Sequence, residues 1–339
     1  MPWTQSVSEE NISLKHISLK GEKMSVPLKP LDRVEILTLQ DNYIDIAAGD
    51  GNEMIQRTPP IKDGELKGTI LAEHGFSALV TVSMGDQTRR LLFDFGLSEF
   101  GAAYNAEFLK ADISKVETAA ISHGHPDHTG GFKQLIEKVS QKEIPLVVHP
   151  AAFRHPRYLK ITKDFKVYFP AFTREMVRKA GLELVETEEP YSLLDGTILF
   201  LGQIPRETAY EKGMPNTYYG EQGQEKFDAI EDDTAIVMHL KGKGLVVLSG
   251  CAHSGIINTV NYARKVTDID RVHAVMGGFH LTGAHFEPFI KPTTQALKAI
   301  DPDYVIPTHC TGRKAINYME NELPEKFILN MAGTKLTFI

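Results

Sequence analysis

The chain has 339 residues, of which 42% are hydrophobic and 24% are charged, and its formal net charge is −7. This composition is typical of a globular enzyme, and the mild acidity argues against nucleic acid as the main partner. There is no run of eighteen apolar residues, so no membrane span is expected. Cys251 and Cys310 cannot form a disulfide framework, and the polar N-terminus lacks a signal-peptide core. We therefore expect a cytoplasmic protein.

In chain order, residues 1–30 are predicted to be an N-terminal extension, because polar residues dominate and Pro27 and Pro30 suit a linker. One domain is predicted over residues 31–339. Its strands are expected at the alternating or continuous apolar runs bounded by turn residues. These runs are Val34–Leu39, Phe76–Met84, Leu91–Gly96, Thr118–Ser122, Pro145–His149, Thr197–Leu201, Thr234–Leu240, Leu245–Ser249, Val272–Met276, Tyr304–Pro307 and Thr334–Ile339.

Helices are predicted at Phe132–Val139, where apolar residues recur with helical spacing, at Gly255–Val266 and near Gln295–Ile300. The chain thus begins with strands, continues with alternating strands and helices, and inserts a hairpin before further alternation. Two mixed β-sheets with helices outside them satisfy this order, so the sequence predicts an α/β fold of that kind.

Two inserts interrupt the regular pattern. The first, near residues 151–190, is predicted to be helical and carries basic residues, among them Arg154, Arg157, Lys160 and Lys163. The second, near residues 205–230, is polar and rich in tyrosine. A long loop within a compact domain is typically a lid, a binding loop or a disordered segment, and all of these stay open for the second insert.

The loop "HGHPDH" places four metal-binding side chains directly after the short predicted strand at Thr118–Ser122. His123 and His125 can point the same way, because residues two apart share a face in extended backbone. Asp127 and His128 can turn toward a second point nearby. Imidazole and carboxylate hold Zn²⁺, Mn²⁺ or Fe while leaving positions open for water, whereas four thiolates would indicate a closed structural site. The loop therefore predicts a catalytic metal site.

Further donors follow later strands. Cys251 and His253 come after Leu245–Ser249, His280 after Val272–Met276, and His309 after Tyr304–Pro307. Strand ends collect ligand-binding residues in layered α/β folds. We expect His309, His253 and Cys251 to be metal ligands and His280 to be a ligand or an acid/base group, whereas Cys310 is interpreted as a packed, buried thiol.

Two residues earlier in the chain have open roles. His74, just before the first hairpin, either lines the site or lies outside it. Asp94, at the end of the strand in "LLFDFG", either orients a metal-binding histidine through a hydrogen bond or caps a local turn.

"HGHPDH" with the preceding "LLFDFG" closely resembles the metallo-β-lactamase superfamily, from about Val34 to the C-terminus. The resemblance implies an αββα sandwich with one or two metal ions at one edge. By motif, His123 and His125 would bind the first ion, and Asp127, His128 and His309 the second. The segments "EHGFS", "SGCAHSGIIN", "GGFHL" and "PTHCTG" narrow the resemblance to the branch that includes an archaeal dihydropterin–ribofuranosylaminobenzene-phosphate synthase.

The sequence departs from the superfamily pattern in two places. Members usually carry another metal-binding histidine in a "GHT" loop, and none occurs between Leu201 and Ile230. Where a bridging aspartate normally ends a strand, this chain has Cys251, and His253 follows two residues later. We interpret His253 as the replacement for the missing histidine.

The resemblance implies a hydrolase that uses a metal-activated water on an ester, lactone or phosphoester bond of a small molecule. One or two divalent ions are expected, Zn²⁺ first, with Mn²⁺, Fe or Mg²⁺ as alternatives. Asp127 would bind metal and orient the nucleophile, and His280 would act as a donor to the developing charge.

Other functions stay open at this point. The main alternative is a metal-dependent transferase that condenses a dihydropterin with a ribofuranosylaminobenzene phosphate. A diiron redox protein is disfavoured by the shortage of acidic ligands, and a non-catalytic binding protein is the remaining class. No nucleic-acid or membrane partner is expected, and the oligomeric state is not predicted.

Overall fold

The computed structural model describes residues 25–58, 64–66 and 68–339 of the chain. Residues 1–24 of the predicted extension lie outside this range. The Val26 N–H donates to the Val266 carbonyl at 2.7 Å, and Leu28 is part of the buried core. The packed domain therefore begins several residues before the predicted boundary at residue 31. Among the described residues, no helix combines the length and apolar character that a membrane crossing requires.

One half of the fold is an eight-stranded mixed sheet. In spatial order its strands are β10 (Glu183–Glu186), β7 (Pro145–Val148), β6 (Thr118–Ala120), β5 (Gln87–Phe93), β4 (Ser77–Met84), β2 (Arg33–Gln40), β19 (Lys335–Phe338) and β3 (Ile55–Gln56). The first four are parallel neighbours, and the remaining pairs are antiparallel. The C-terminal strand thus closes the sheet against the first long strand.

The other half is a seven-stranded mixed sheet. In spatial order it contains β11 (Tyr191–Leu193), β12 (Ile198–Phe200), β15 (Ala235–Leu240), β16 (Gly244–Ser249), β17 (Val272–Gly278) and β18 (Tyr304–Thr308), with β1 (Pro30–Leu31) also pairing β15. Strands β15 and β16 are antiparallel, whereas β16, β17 and β18 are parallel. The predicted hairpin at "KGKG" is the β15–β16 connection.

Helices cover the outer faces of both sheets. They are α1 (Gly101–Phe108), α3 (Phe132–Glu137), α4 (Arg174–Lys179), α5 (Ile256–Thr267), α6 (Ile290–Ile300) and α7 (Arg313–Glu322). The short helix α2 (Pro126–Thr129) instead follows β6 at the edge of the sandwich. One apolar cluster lies between the two sheets, a second joins the seven-stranded sheet to α5, α6 and α7, and a third joins the other sheet to α1, α3 and α4. This layering confirms the predicted αββα sandwich.

The two inserts meet in a third, four-stranded antiparallel sheet, which we call the insert sheet. In spatial order it contains β14 (Gln224–Phe227), β13 (Thr217–Glu221), β8 (Arg157–Lys160) and β9 (Lys166–Tyr168). The prediction of a helical first insert is therefore wrong, since only Pro150–Phe153 and α4 are helical there. Pairing with β13, about sixty residues along the chain, determines the strand conformation of β8.

The insert sheet also accounts for the basic residues of the first insert. Arg157 is buried between two aspartates, and Lys160 pairs with Glu225 at 2.6 Å. They are therefore neutralised within the protein and do not form an open basic surface. The second insert contributes an ordered hairpin, β13–β14, to the same sheet.

Candidate metal centre

The carboxyl ends of β5, β6, β16, β17 and β18 meet at one edge of the sandwich, and the loops after them carry the predicted ligands. The "HGHPDH" loop follows β6 and leads into α2, with Pro126 at the first helical position, where its missing N–H costs nothing. Gly124 is required in this loop, because a Cβ there would lie 2.2 Å from the Ala152 carbonyl oxygen.

Three buried imidazoles, those of His123, His125 and His253, form a first group of candidate metal donors. His123 Nε2 lies 3.2 Å from His253 Nε2, and the ring of His125 lies 4.5 Å from that of His123 and 4.9 Å from that of His253. His125 Nε2 is buried without a hydrogen-bond partner among the described residues. Such an unpartnered nitrogen is costly unless it binds something. His253 thus lies beside both histidines of the "HGHPDH" loop that complete this group.

A second group of donors lies next to the first. Asp127 Oδ2 is 3.1 Å from His309 Nε2 and 3.7 Å from His128 Nε2, and His128 Nε2 is 3.0 Å from Cys251 Sγ. One donor atom from each of these four residues lies within 4.8 Å of the others. Cys251 also lies within this limit of His123 and His253. Its thiol is therefore shared by both groups.

Hydrogen bonds from outside the two groups fix the orientation of their imidazoles. Asp94 accepts from His128 Nδ1 at 2.7 Å and from the Ser122 N–H and hydroxyl at the same distance. His309 Nδ1 lies 2.9 Å from Asn42 Oδ1. A carboxylate on Nδ1 leaves the Nε2 lone pair free to bind metal. Of the two roles open for Asp94, the structure therefore supports orientation of a histidine.

The electrostatics of the first group favour neutral imidazoles. Burial lowers the pKa of His123 well below its ordinary value, and unfavourable electrostatic interactions with the neighbouring imidazoles of His128, His125 and His253 lower it further. Burial, and then the Arg157 charge, lower the pKa of His125 to about 4. Burial and His280 likewise hold the pKa of His253 well below the ordinary range. Metal binding needs deprotonated ligands, so these residues are already in the binding form at pH 7.

The second group is charged. Burial raises the pKa of Asp127, but His128, His309 and His74 outweigh it and hold that pKa well below the ordinary range. Burial lowers the pKa of His128, but Asp94 and Asp127 outweigh it and raise that pKa to about 9. Without a bound cation, a proton on His128 thus balances part of the negative charge. A divalent ion would serve the same purpose.

Two further aspartates, which the sequence did not single out, hold the ligand loops. Asp232 Oδ2 accepts the Gly124 N–H at 2.7 Å, and Asp233 Oδ2 accepts the Ser254 N–H at 2.8 Å. The buried Arg157 guanidinium donates to both oxygens of Asp232 at 2.9 and 2.6 Å and to Asp228. The insert sheet is thereby joined to the loop between His123 and His125.

Other candidate residues lie around the two groups. His280 lies against His253, with ring centroids 4.4 Å apart and ring planes tilted by 52°, and is half-buried. His74 is exposed at the mouth of the site, with Nε2 3.4 Å from Asp127 Oδ2. Phe169, at the end of β9, packs against His125 with a centroid distance of 5.0 Å. Cys310 lies close to Cys251 and His280, so packing alone does not describe its position.

The donor set fits divalent metal ions. It offers neutral imidazoles, one ionised carboxylate and one thiol, together with a buried nitrogen that has no partner among the described residues. The backbone is also held in an uncommon conformation here, since Asp94, Ala252, His280 and His309 have φ between 43° and 59°. Left-handed backbone outside glycine is typical of functional sites whose surroundings enforce it.

Comparison with known families agrees with this geometry. The family profile described as the metallo-beta-lactamase superfamily matches residues 72–257. The chain is 31% identical over 278 residues to 7,8-dihydropterin-6-methyl-4-(beta-D-ribofuranosyl)-aminobenzene-5'-phosphate synthase of Methanocaldococcus jannaschii, covering 79% of this chain and 90% of the relative. An uncharacterized protein of the same organism is 34% identical over 251 residues, covering 72% and 86%.

Solved structures show the same architecture. A metal-dependent hydrolase of the beta-lactamase superfamily superposes with a TM-score of 0.67 and 25% identity, covering 89% of this chain and 98% of that chain. Unliganded yeast PDE1 superposes with a TM-score of 0.51 and 10% identity, covering 90% and 99%. The second likeness concerns the fold alone.

Proposed function

Because the chain belongs to the metallo-beta-lactamase superfamily, we propose that it is a metal-dependent hydrolase. Its substrate is a small molecule with an ester, lactone or phosphoester bond. The observation that carries this proposal is the convergence of six histidine and aspartate ligands and one cysteine at a single edge of the sandwich. A purely structural site would enclose its ion with protein ligands, whereas Asp127 and His74 here lie at a partly open mouth.

Two metal positions follow from the two donor groups. His123, His125 and His253 would hold a first ion and Asp127, His128 and His309 a second, with Cys251 at the junction of the groups. We propose Zn²⁺, with Mn²⁺, Fe or Mg²⁺ as alternatives. When bound, such ions supply Lewis acidity, which lowers the pKa of water and polarises a carbonyl or phosphoryl oxygen.

Side chains at the mouth perform the remaining steps. Asp127 is ionised and lies at the mouth of the site, with Oδ2 3.4 Å from His74 Nε2, so its carboxylate can orient a water molecule beside the substrate. His280 lies against His253 and can donate a proton to the leaving group or to the developing charge. Phe169 covers His125 on the side of the insert sheet and limits the access of bulk water.

The test is a substrate panel with defined metal content. The purified full chain is analysed for metals, stripped with a chelator and reloaded separately with Zn²⁺, Mn²⁺ and Mg²⁺. Aryl esters, lactones, phosphomonoesters and phosphodiesters are then assayed. We expect turnover of at least one class that disappears on stripping and returns on reloading. A reloaded protein that hydrolyses none of them would contradict the hydrolase proposal.

A second candidate rests on the 31% identical relative, which is named as a synthase. We propose as the alternative a metal-dependent transferase that condenses a dihydropterin with a ribofuranosylaminobenzene phosphate. The tyrosine-bearing strand β13 lies in the insert sheet, whose strand β9 leads into Phe169 beside the metal centre. Incubation with a dihydropterin donor and the aromatic phosphosugar, followed by mass spectrometry, distinguishes a condensed product from hydrolysed donor.

A further inference from the structure

Next to the two donor groups lies a third, formed by Cys251, His280 and Cys310. One donor atom from each lies within 4.8 Å of the other two. Both cysteines are free and almost completely buried, and Cys310 Sγ lies 3.6 Å from the Cys251 carbonyl oxygen. The group contains two sulfur atoms and a single nitrogen, and it has no carboxylate. Its chemistry therefore differs from that of the hydrolytic centre.

The three residues of this group follow three adjacent parallel strands. Cys251 follows β16, His280 follows β17 and Cys310 follows β18. Gly278, at the end of β17, makes room for the thiols, because a Cβ there would lie 2.5 Å from Cys310 Sγ and 3.2 Å from the Cys251 Cα. His280 is held with φ of 43°, and its Nδ1 is buried without a hydrogen-bond partner among the described residues.

We propose that Cys251, His280 and Cys310 form a third binding site, which shares Cys251 with the hydrolytic centre and takes a thiophilic divalent ion such as Zn²⁺ or Cd²⁺. Soft thiolate ligands select such ions over Mn²⁺ and Mg²⁺, which prefer oxygen. Each thiol releases its proton on binding. Two thiolates and a neutral imidazole then balance the charge of the ion, as a buried site requires.

Occupation of this site changes the hydrolytic centre, because Cys251 is common to all three donor groups. An ion bound to Cys251 and Cys310 competes for the thiolate that lies 3.0 Å from His128 Nε2. It also engages His280, the proposed proton donor. This step rests on the proposed hydrolase function: the thiophilic site would be inhibitory, and we expect the protein loaded with Mn²⁺ to lose activity when a stoichiometric amount of Cd²⁺ is added.

The experiment counts the sulfur atoms around the probe ion. The reduced full chain is loaded with Mn²⁺, one equivalent of Cd²⁺ is added, and X-ray absorption at the cadmium edge gives the number of sulfur neighbours. We expect two in the wild type and one in Cys310→Ser. One sulfur or none in the wild type, or two in Cys310→Ser, overturns the proposal. This readout does not depend on which reaction the protein catalyses.

A second pair of variants guards against a folding defect in Cys310→Ser. His280→Gln keeps both sulfurs and should weaken Cd²⁺ binding by roughly tenfold or more, measured by chelator competition. His285→Gln is the matched control, since His285 is exposed, packs against Phe286 and lies outside the donor group. Equal Cd²⁺ affinity in the two histidine variants would show that His280 does not bind the ion and would overturn the proposal.

Discussion

Asp232 and Asp233 are neighbours in the chain, but their carboxylates hold two different ligand loops. Asp232 accepts the N–H between His123 and His125, and Asp233 accepts the N–H that follows His253. Both belong to the segment that enters β15 at the edge where β16 ends, because these strands are antiparallel and Ala235 pairs with Ser249. One short segment thus sets the distance between the two halves of the first donor group.

The first prediction concerns Arg157, which neutralises Asp232. Arg157→Met leaves the buried carboxylate of Asp232 without its cation and Asp228 with Arg154 alone, and removing one partner of a buried ion pair typically costs about 3–5 kcal/mol. We also expect metal affinity to fall by about 10–100-fold, because the loop that carries His123 and His125 loses its support. Urea denaturation and chelator competition measure the two effects.

The control for this prediction is Arg154→Met. Arg154 also pairs with Asp228 and with Glu231, but it makes no contact with Asp232 in the part of the chain that the structure describes. We expect metal affinity close to that of the wild type in this variant. If Arg157→Met loses stability while keeping wild-type metal affinity, Arg157 supports the fold and has no positioning role.

The second prediction concerns pH. Burial raises the pKa of Asp233 to about 6 in the metal-free protein, even though backbone N–H groups of Ser254 and His253 oppose the shift. A carboxyl group whose pKa is raised by folding favours the folded state fully below its unfolded pKa. This contribution to the free energy of unfolding is lost as pH rises through the folded pKa of about 6. Asp233→Asn should therefore be more stable than the wild type at pH 7.5, by on the order of 1–3 kcal/mol.

Urea denaturation of chelator-treated protein at pH 4.5 and pH 7.5 tests this prediction. The wild type should lose stability between the two values relative to Asp233→Asn, whose neutral amide can still accept the Ser254 N–H. Parallel changes in the two proteins would show that Asp233 is ionised at both values.

The third prediction concerns His125, whose Nε2 has no partner among the described residues. His125→Ala should lower the metal content by about one ion per chain and reduce hydrolysis by more than about 100-fold, the upper range for a residue that only orients a ligand. Elemental analysis and the substrate panel provide the measurements. His239→Ala, in β15, is the control and should retain its metal.

The fourth prediction concerns Asp94. Asp94→Asn removes the charge that fixes His128, and we expect a 10–100-fold loss of metal affinity, roughly the effect typical of such partners. Asp303→Asn is a matched control, because Asp303 accepts from His273 Nδ1 at 2.6 Å in the same way but away from the donor groups. Comparable losses in both variants would point to a general effect on stability.

The layered fold and the strand ends that carry the candidate metal donors could be predicted from the sequence. His253 and His309 follow continuous apolar runs whose termini are readable locally, and parallel strands of one sheet end at one edge. Asp232 and Asp233 were not predicted to belong to the site, because they precede a strand and do not follow one. The start of an antiparallel strand lies at the same edge as the ends of its neighbours, so two acids before a buried run were the available signal.

Long-range pairing explains most of the remaining differences. The segment Arg157–Lys160 is a strand because it pairs with Thr217–Glu221. No local sequence pattern predicts a contact between segments so far apart in the chain. The proximity of Cys310 to Cys251 and His280 was also not predictable from the sequence, because a buried thiol beside an apolar strand is ordinarily a packing residue. Only the meeting of three strand ends places it near Cys251 and His280.

The insert sheet has a practical consequence for protein engineering. Its two halves come from separate stretches of the chain, and Arg157 in one half needs Asp228, which follows the other. A chimera that exchanges only one stretch with a relative would leave strands without their pairing partners and a buried charged side chain without its ion-pair partner. The two segments that form the insert sheet, residues 157–168 and 217–228, must therefore be moved together.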